Sequence, residues 1–277
     1  MTAIEATPCV QPREQEPTSL QQPGEPAAAL RLIPGRLEKL QRIAPDWNGP
    51  SQASSAYDSY FAQQQPQQGG TDADEEPGLI IMRHGQSDHN IANSWNSSPD
   101  NEGYVESNLT EKGIEQVLAT AALLANRGLS NANVGAIYVS TLPRAQQTAD
   151  VLAQRLQIAP EKVLLNSSIV ETNRGKYEGK AEQGLTDKLF GKHDFSEAHS
   201  YGGETTEDVA KRTTQFIDQL LSQCDKKSNI VVVSHGTPTQ LMLEHLLGPQ
   251  KEGLKTAGFI KISWKDLQKR RNASNSE

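Results

Sequence analysis

With only 35% hydrophobic residues among 277, the chain has less apolar material than a single packed domain of that length uses, and the deficit sits at one end. Residues 1–77 hold 10 of the 15 prolines and, with 11 Asp/Glu against 5 Lys/Arg, carry −6 of the formal charge of −7. The other 200 residues are nearly neutral, which speaks against a nucleic-acid partner, and two cysteines, Cys9 and Cys224, are too few for a disulfide framework.

The segment 1–77 reads as a disordered, Pro- and Gln-rich tail, plainest at Gln63-Gln64-Gln65-Pro66-Gln67-Gln68, because such a composition cannot offset its ordering entropy by burial. Leu37, Leu40 and Ile43 fall at helical spacing within it and mark a short transient helix that Pro45 ends. No basic leader followed by an apolar core is present, and no run of about 18 apolar residues occurs, so neither a secretion signal nor a membrane span is expected. A cytoplasmic protein follows, short of a specialised export signal of another kind. The acidic stretch Asp72–Glu76 closes at Pro77-Gly78, where a folded domain over 78–268 is taken to begin, with a polar tail over 269–277 behind it.

From residue 79 strands alternate with helices. Leu79–Arg83 is a strand built on the apolar run Leu79–Met82 with a Gly-bounded exit, and Leu109-Thr110-Glu111-Lys112-Gly113 opens a helix with Val117, Ala121 and Leu124 on one face. Ala136–Val139 is a strand leading into a helix that carries Ala149, Leu152 and Leu156, and Val163–Leu165 is another strand. Residues 205–223 form a long helix, 230–234 a strand, 238–247 a helix, and 258–264 a last, half-exposed strand. This alternation specifies an α/β fold, a three-layer α/β/α sandwich with a mainly parallel sheet. Ligands of such sheets bind beyond the carboxyl ends of the strands. Two strands end in histidine and glycine there, Arg83-His84-Gly85 and Ser234-His235-Gly236, and so point to one shared site.

Those two motifs and three others, in this order, resemble the histidine phosphatase superfamily, the phosphoglycerate mutase-like fold. Arg83-His84-Gly85-Gln86-Ser87-Asp88-His89-Asn90 is similar to its Arg-His-Gly-x-Ser/Thr-x-x-Asn, and Leu109–Gly113 to its Leu-Thr-x-x-Gly helix start. Ser140-Thr141-Leu142-Pro143-Arg144-Ala145 resembles the segment with its second arginine, and Glu171-x-x-x-Gly175-x-Tyr177-Glu178-Gly179 the segment with its acid. The resemblance implies His84 as nucleophile, Arg83, Arg144 and His235 as the cations around a phosphoryl group, and Asn90 as a neutral donor. Neutral imidazole suits the first role because it titrates near neutrality, and arginine the second because its planar fork meets phosphate oxygens while staying charged. The acid maps onto Glu171, with Glu178 a competitor. No metal or other cofactor is needed, since the arginines already supply positive charge.

Single residues keep plainer readings. Arg144 also fits a helix-capping or salt-bridging role, and Asn90 a loop residue. Ser87 fits a phosphate donor or an N-cap equally, and Glu204 complements a helix dipole. His89, His193, His199 and His245 read as surface or packing residues. Ser234 is no hydrolase elbow, because Val232 stands where such a turn needs glycine.

Between Glu171 and His235 lie 63 residues with no Arg-Arg pair, whereas the phosphoglycerate mutases carry a longer insertion with paired arginines there. A phosphatase acting on phosphomonoesters is therefore favoured over a mutase, and a non-catalytic binder of phosphorylated ligands is the other alternative. Its substrate would be a phosphorylated small molecule or a phosphoprotein. Arg174, Lys176, Lys180, Lys188 and Lys192 are scattered where they would read an acidic leaving group or face solvent. The sequence carries no sign of an oligomeric state.

Overall fold

The computed structural model describes residues 76–180 and 197–274. The tail reading up to residue 75, its helix at 37–43, Lys188, Lys192 and His193 lie outside the described residues.

Strands β1 (Gly78–Arg83), β2 (Val134–Ser140), β3 (Val163–Asn166), β4 (Asn229–Ser234) and β5 (Phe259–Ser263) form one sheet in the order β3-β2-β4-β1-β5. The first four are mutually parallel and β5 runs antiparallel to β1. Helices α1 (Asp88–Ala92), α2 (Glu111–Asn126), α3 (Pro143–Arg155), α4 (Thr206–Gln223), α5 (Gly236–Leu247) and α6 (Trp264–Ser274) complete the domain.

The unbroken apolar character of β1 and β4 follows from coverage on both faces. Ile80, Met82, Val231 and Val233 join one core with Val117, Ala121 and Leu124 of α2 and Ala149 and Leu152 of α3. Leu79, Ile81 and Val232 join the other with Phe216, Ile217 and Leu220 of α4, Met242 of α5, and Trp264. The expected three layers and mainly parallel sheet are thus present. No helix among the described residues is long and apolar enough to cross a membrane.

Local signals set the helix starts. Thr110 Oγ1 accepts from Gly113 N at 3.0 Å to cap α2, and Thr205 and Asp208 cap α4 reciprocally. At the carboxyl end the sequence reading needs correction. Trp264 begins a helix rather than ending a strand, and α6 runs to Ser274, through the boundary drawn at 268. Ser263 Oγ accepts from Asp266 N at 3.1 Å and so starts the helix, while buried Leu267 anchors it beneath the exposed Lys269-Arg270-Arg271.

The turn after β1 is pressed onto α2. A Cβ on Gly113 would stand 1.9 Å from the Gln86 carbonyl oxygen, and one on Gly85 would stand 2.6 Å from the Gly113 oxygen. Only two glycines facing each other allow this approach, which holds the segment after His84 in place. Gly113→Ala should therefore lower stability by about 2–4 kcal/mol, read as a shifted urea midpoint at unchanged m. An unshifted midpoint would mean that the turn yields freely.

Candidate active site

β1 and β4 are paired in parallel with Arg83 opposite Ser234, and His84 N donates to the Ser234 carbonyl at 2.9 Å. The next residues out, His84 and His235, therefore leave the sheet side by side, with ring centroids 5.1 Å apart and rings edge to face. Both are fully buried. His84 Nδ1 lies 2.7 Å from the Gly85 carbonyl oxygen, which can only accept, so Nδ1 carries the proton and Nε2 presents a lone pair. His235 Nε2 pairs with Ser140 Oγ at 2.7 Å, while its buried Nδ1 has no hydrogen-bond partner.

β2 flanks β4 on the other side and delivers Arg144 through the first turn of α3, where Pro143 occupies the opening position. Arg144 is fully buried; its Nε donates to His84 Nε2 at 3.2 Å, and its two Nη atoms donate to Asn96 Oδ1 and the Asn96 carbonyl, each at 2.7 Å. Thr148 Oγ1 accepts from Gly85 N at 3.1 Å and donates to the Arg144 carbonyl at 2.8 Å, tying the two motifs together. Arg83 donates to the Leu254 carbonyl at 2.9 Å, and its guanidinium passes over Gly236. Asn90 is anchored at the start of α1 through Oδ1, which accepts from Ser87 N and Ser87 Oγ, each at 3.0 Å, while its donor Nδ2 lies 3.1 Å from His89 Nε2. Ser87 is thus the N-cap residue of α1.

The two carboxylates separate clearly. Glu178 is buried, and its oxygens accept from Ser97 N at 2.6 Å, from Ser97 Oγ and from Asn101 Nδ2 at 3.0 Å. That set occupies it in holding the 95–104 loop. Glu171 is half-buried, accepts from Thr172 N at 2.8 Å, and lies within electrostatic reach of Arg144, whose charge it favours.

Burial dominates the electrostatics. It pushes the His84 and His235 imidazoles well below their ordinary range, with Arg144 the next cause in each case. His89, whose ring lies 5.7 Å from that of His84, is lowered to about 3, first by burial and then by Arg144 and Arg83. Burial also lowers Arg144 to about 10, which leaves it charged at neutral pH. The sequence reading counts His235 among the cations, whereas burial and then Arg144 favour its neutral form here. The fixed positive charge comes from the arginines.

A family model described as the histidine phosphatase superfamily (branch 1) matches residues 79–274, the whole domain that carries these groups. The chain belongs to this superfamily. It is 26% identical over 182 residues to a 2,3-bisphosphoglycerate-dependent phosphoglycerate mutase of Azorhizobium caulinodans, covering 64% of this chain and 84% of that one. It is 26% identical over 200 residues to a glucosyl-3-phosphoglycerate phosphatase of Mycolicibacterium vanbaalenii, covering 68% and 83%. Among solved structures, a mycobacterial glucosyl-3-phosphoglycerate phosphatase in complex with VO3 superposes with a TM-score of 0.53 at 24% identity, over 68% of this chain and 92% of that one. The alpha-ribazole phosphatase of Shigella flexneri does so with 0.51 at 21% identity, over 65% and 87%. At those identities the structures show a shared fold.

Within the superfamily frame, three contributors escape sequence reasoning. His89, read as surface or packing, lines the site; its Nδ1 lies 2.8 Å from Ser87 Oγ and 3.2 Å from Ser107 Oγ, and the one sequence signal was its place inside the first motif. Asn96 holds Arg144 from an irregular loop with no motif. Ser140 fixes His235 from the end of β2, and its strand-end position was the available hint. His199 and His245 are surface residues, as expected, with Nε2 2.6 Å from Asp208 Oδ2 and 3.1 Å from Asp218 Oδ1. No three His, Cys, Asp or Glu side chains cluster as metal ligands among the described residues.

The buried imidazoles tie stability to pH with a definite sign. An unfolded histidine gains its proton as pH falls through about 6.5, whereas folded His89 does not until about 3. The unfolded state binds protons first, so stability falls as pH drops below about 6.5, by about 1.4 kcal/mol per pH unit for each such imidazole well below that point. Urea unfolding between pH 7 and 5 should show this slope, and His89→Phe should lessen it by one proton's share. A slope unaffected by that substitution would contradict the neutral, buried state of His89.

Proposed function

We propose that the protein is a phosphomonoesterase working through a phosphohistidine on His84. The observation that carries this reading is the paired strand end: a buried, neutral imidazole with Nδ1–H committed to a backbone carbonyl and Nε2 beside Arg144, next to a second imidazole whose buried Nδ1 has no partner. Nε2 of His84 attacks phosphorus as the ester P–O bond breaks, and Glu171 gives its proton to the departing oxygen. Water then gives a proton to the Glu171 carboxylate and attacks phosphorus as the P–N bond breaks. Arg83 and Arg144 meet the charge on the equatorial oxygens. His235 adds a neutral donor when Ser140 donates to its Nε2, leaving Nδ1–H toward the phosphoryl group. Asn90 joins them through Nδ2, turned from His89 Nε2 to the phosphoryl group while Oδ1 keeps Ser87.

Water is favoured over a second substrate hydroxyl because the interval from Glu171 to His235 is short, at 63 residues, and lacks an arginine pair. The substrate is a phosphorylated small molecule or phosphoprotein met in the cytoplasm, and no metal takes part. The glucosyl-3-phosphoglycerate phosphatase among the relatives supports a hydrolytic outcome; the mutase relatives support the same phosphoryl chemistry with another acceptor.

Hydrolysis of p-nitrophenyl phosphate should be inhibited by vanadate, be indifferent to EDTA, and fall at least about 1000-fold in His84→Ala. Equal rates in the two proteins would sink the phosphohistidine route, and isomerisation of 3-phosphoglycerate faster than its hydrolysis would replace the phosphatase with a mutase. Removing residues 1–75 keeps Pro77, whose carbonyl accepts from Trp264 N at 3.2 Å. The shortened chain should retain activity to within about twofold, because a domain with its own core folds alone.

A further inference from the structure

Arg212 lies two turns into α4, with a side chain only 18% exposed, and all five of its N–H donors are engaged. Nε donates to Glu204 Oε1 at 2.7 Å, and one Nη donates to Glu204 Oε2 at 3.0 Å and to the Glu171 carbonyl at 3.2 Å. The other Nη donates to the carbonyls of Ser168 at 2.8 Å and Val170 at 2.9 Å. Glu204 extends the hold: its Oε2 also accepts from Asn173 N at 2.8 Å, and its own N–H donates to the Asn173 carbonyl at 2.9 Å.

One ion pair thus grips the backbone of 168–173 at Ser168, Val170, Glu171 and Asn173, the six-residue turn that carries the proposed acid. It makes none of these bonds to the Glu171 carboxylate, which accepts from Thr172 N instead. The pair therefore fixes where the carboxyl stands without tying up its oxygens. Its opposite charges cancel as a unit, so it steadies the turn without adding net charge beside it. A lysine could not reproduce this, because three donors on a single nitrogen cannot span a carboxylate and three carbonyls.

We propose that Arg212 and Glu204 are positioning residues that hold the Glu171 carboxyl at the leaving-group oxygen. This rests on the reading of Glu171 as the acid. Proton delivery is sensitive to placement, and an error of about 1 Å costs roughly 100-fold.

The test uses two esters of nearly the same shape. The p-nitrophenolate of p-nitrophenyl phosphate leaves readily without a proton, whereas the phenolate of phenyl phosphate is a poorer leaving group. The quantity compared is kcat/KM, which reports steps up to phosphohistidine formation and is blind to hydrolysis of that intermediate. Arg212→Lys should lower kcat/KM for phenyl phosphate roughly tenfold more than for p-nitrophenyl phosphate. Glu204→Gln should move the ratio the same way by a smaller factor, and it carries the test alone if Arg212→Lys does not fold. Equal losses on both esters, as a merely structural role predicts, or no loss on either, overturn the proposal. Glu171→Gln on the same esters separates the two levels. If it leaves the ratio unchanged, the acid reading fails and the positioning role with it; if it moves the ratio while the Arg212 and Glu204 variants do not, only the positioning role falls.

Discussion

The parallel register between β1 and β4 is the constraint on which the site depends. Pairs from Leu79 with Ile230 to Arg83 with Ser234 are fixed because Leu79–Met82 and Ile230–Val233 pack alternately into the two cores. A slip by one residue would send each side chain of the displaced strand into the wrong core. With the register fixed, His84 and His235 must emerge together. β4 also pairs with β2, so the chain leaving β2 brings Ser140 and Arg144 to the same rim. Three adjacent strand ends, from distant parts of the sequence, supply the nucleophile candidate, its companion imidazole and the buried arginine.

That convergence carries an electrostatic strain. Three imidazoles and a guanidinium crowd into a desolvated space in which a second positive charge is disfavoured, and the imidazoles respond by staying neutral. Arg144 keeps its charge because Glu171, Tyr104 and Glu178 offset part of its burial. The chemistry of the rim thus arises from burial as much as from residue type: the same histidines on an exposed surface would be partly protonated near neutrality.

The layers, the strand order of the motifs and the shared rim were legible because β1 and β4 are short apolar runs bounded by glycine, and because parallel strands put ligands at their carboxyl ends. Departures occurred where contacts distant in sequence decide the outcome. His89 sits on a five-residue helix, too short for periodicity to reveal a face, and the 93–108 loop folds Ser107 onto it. Glu171 and Glu178 belong to one motif, and only the arrival of Ser97 and Asn101 tells them apart. Alternation runs on through Trp264, yet its indole N–H donates to the Ser228 carbonyl at 2.9 Å from the first turn of a helix that Ser263 starts.

The grip of Asn96 on Arg144 has a consequence for any anion that enters. Bonds to Asn96 and His84 use three of the arginine's five N–H donors and fix the plane of the guanidinium. One N–H on each Nη is left over, so an oxyanion can be met without the arginine letting go of its anchors. Little side-chain freedom is then lost on contact, because the buried side chain is already held in one orientation.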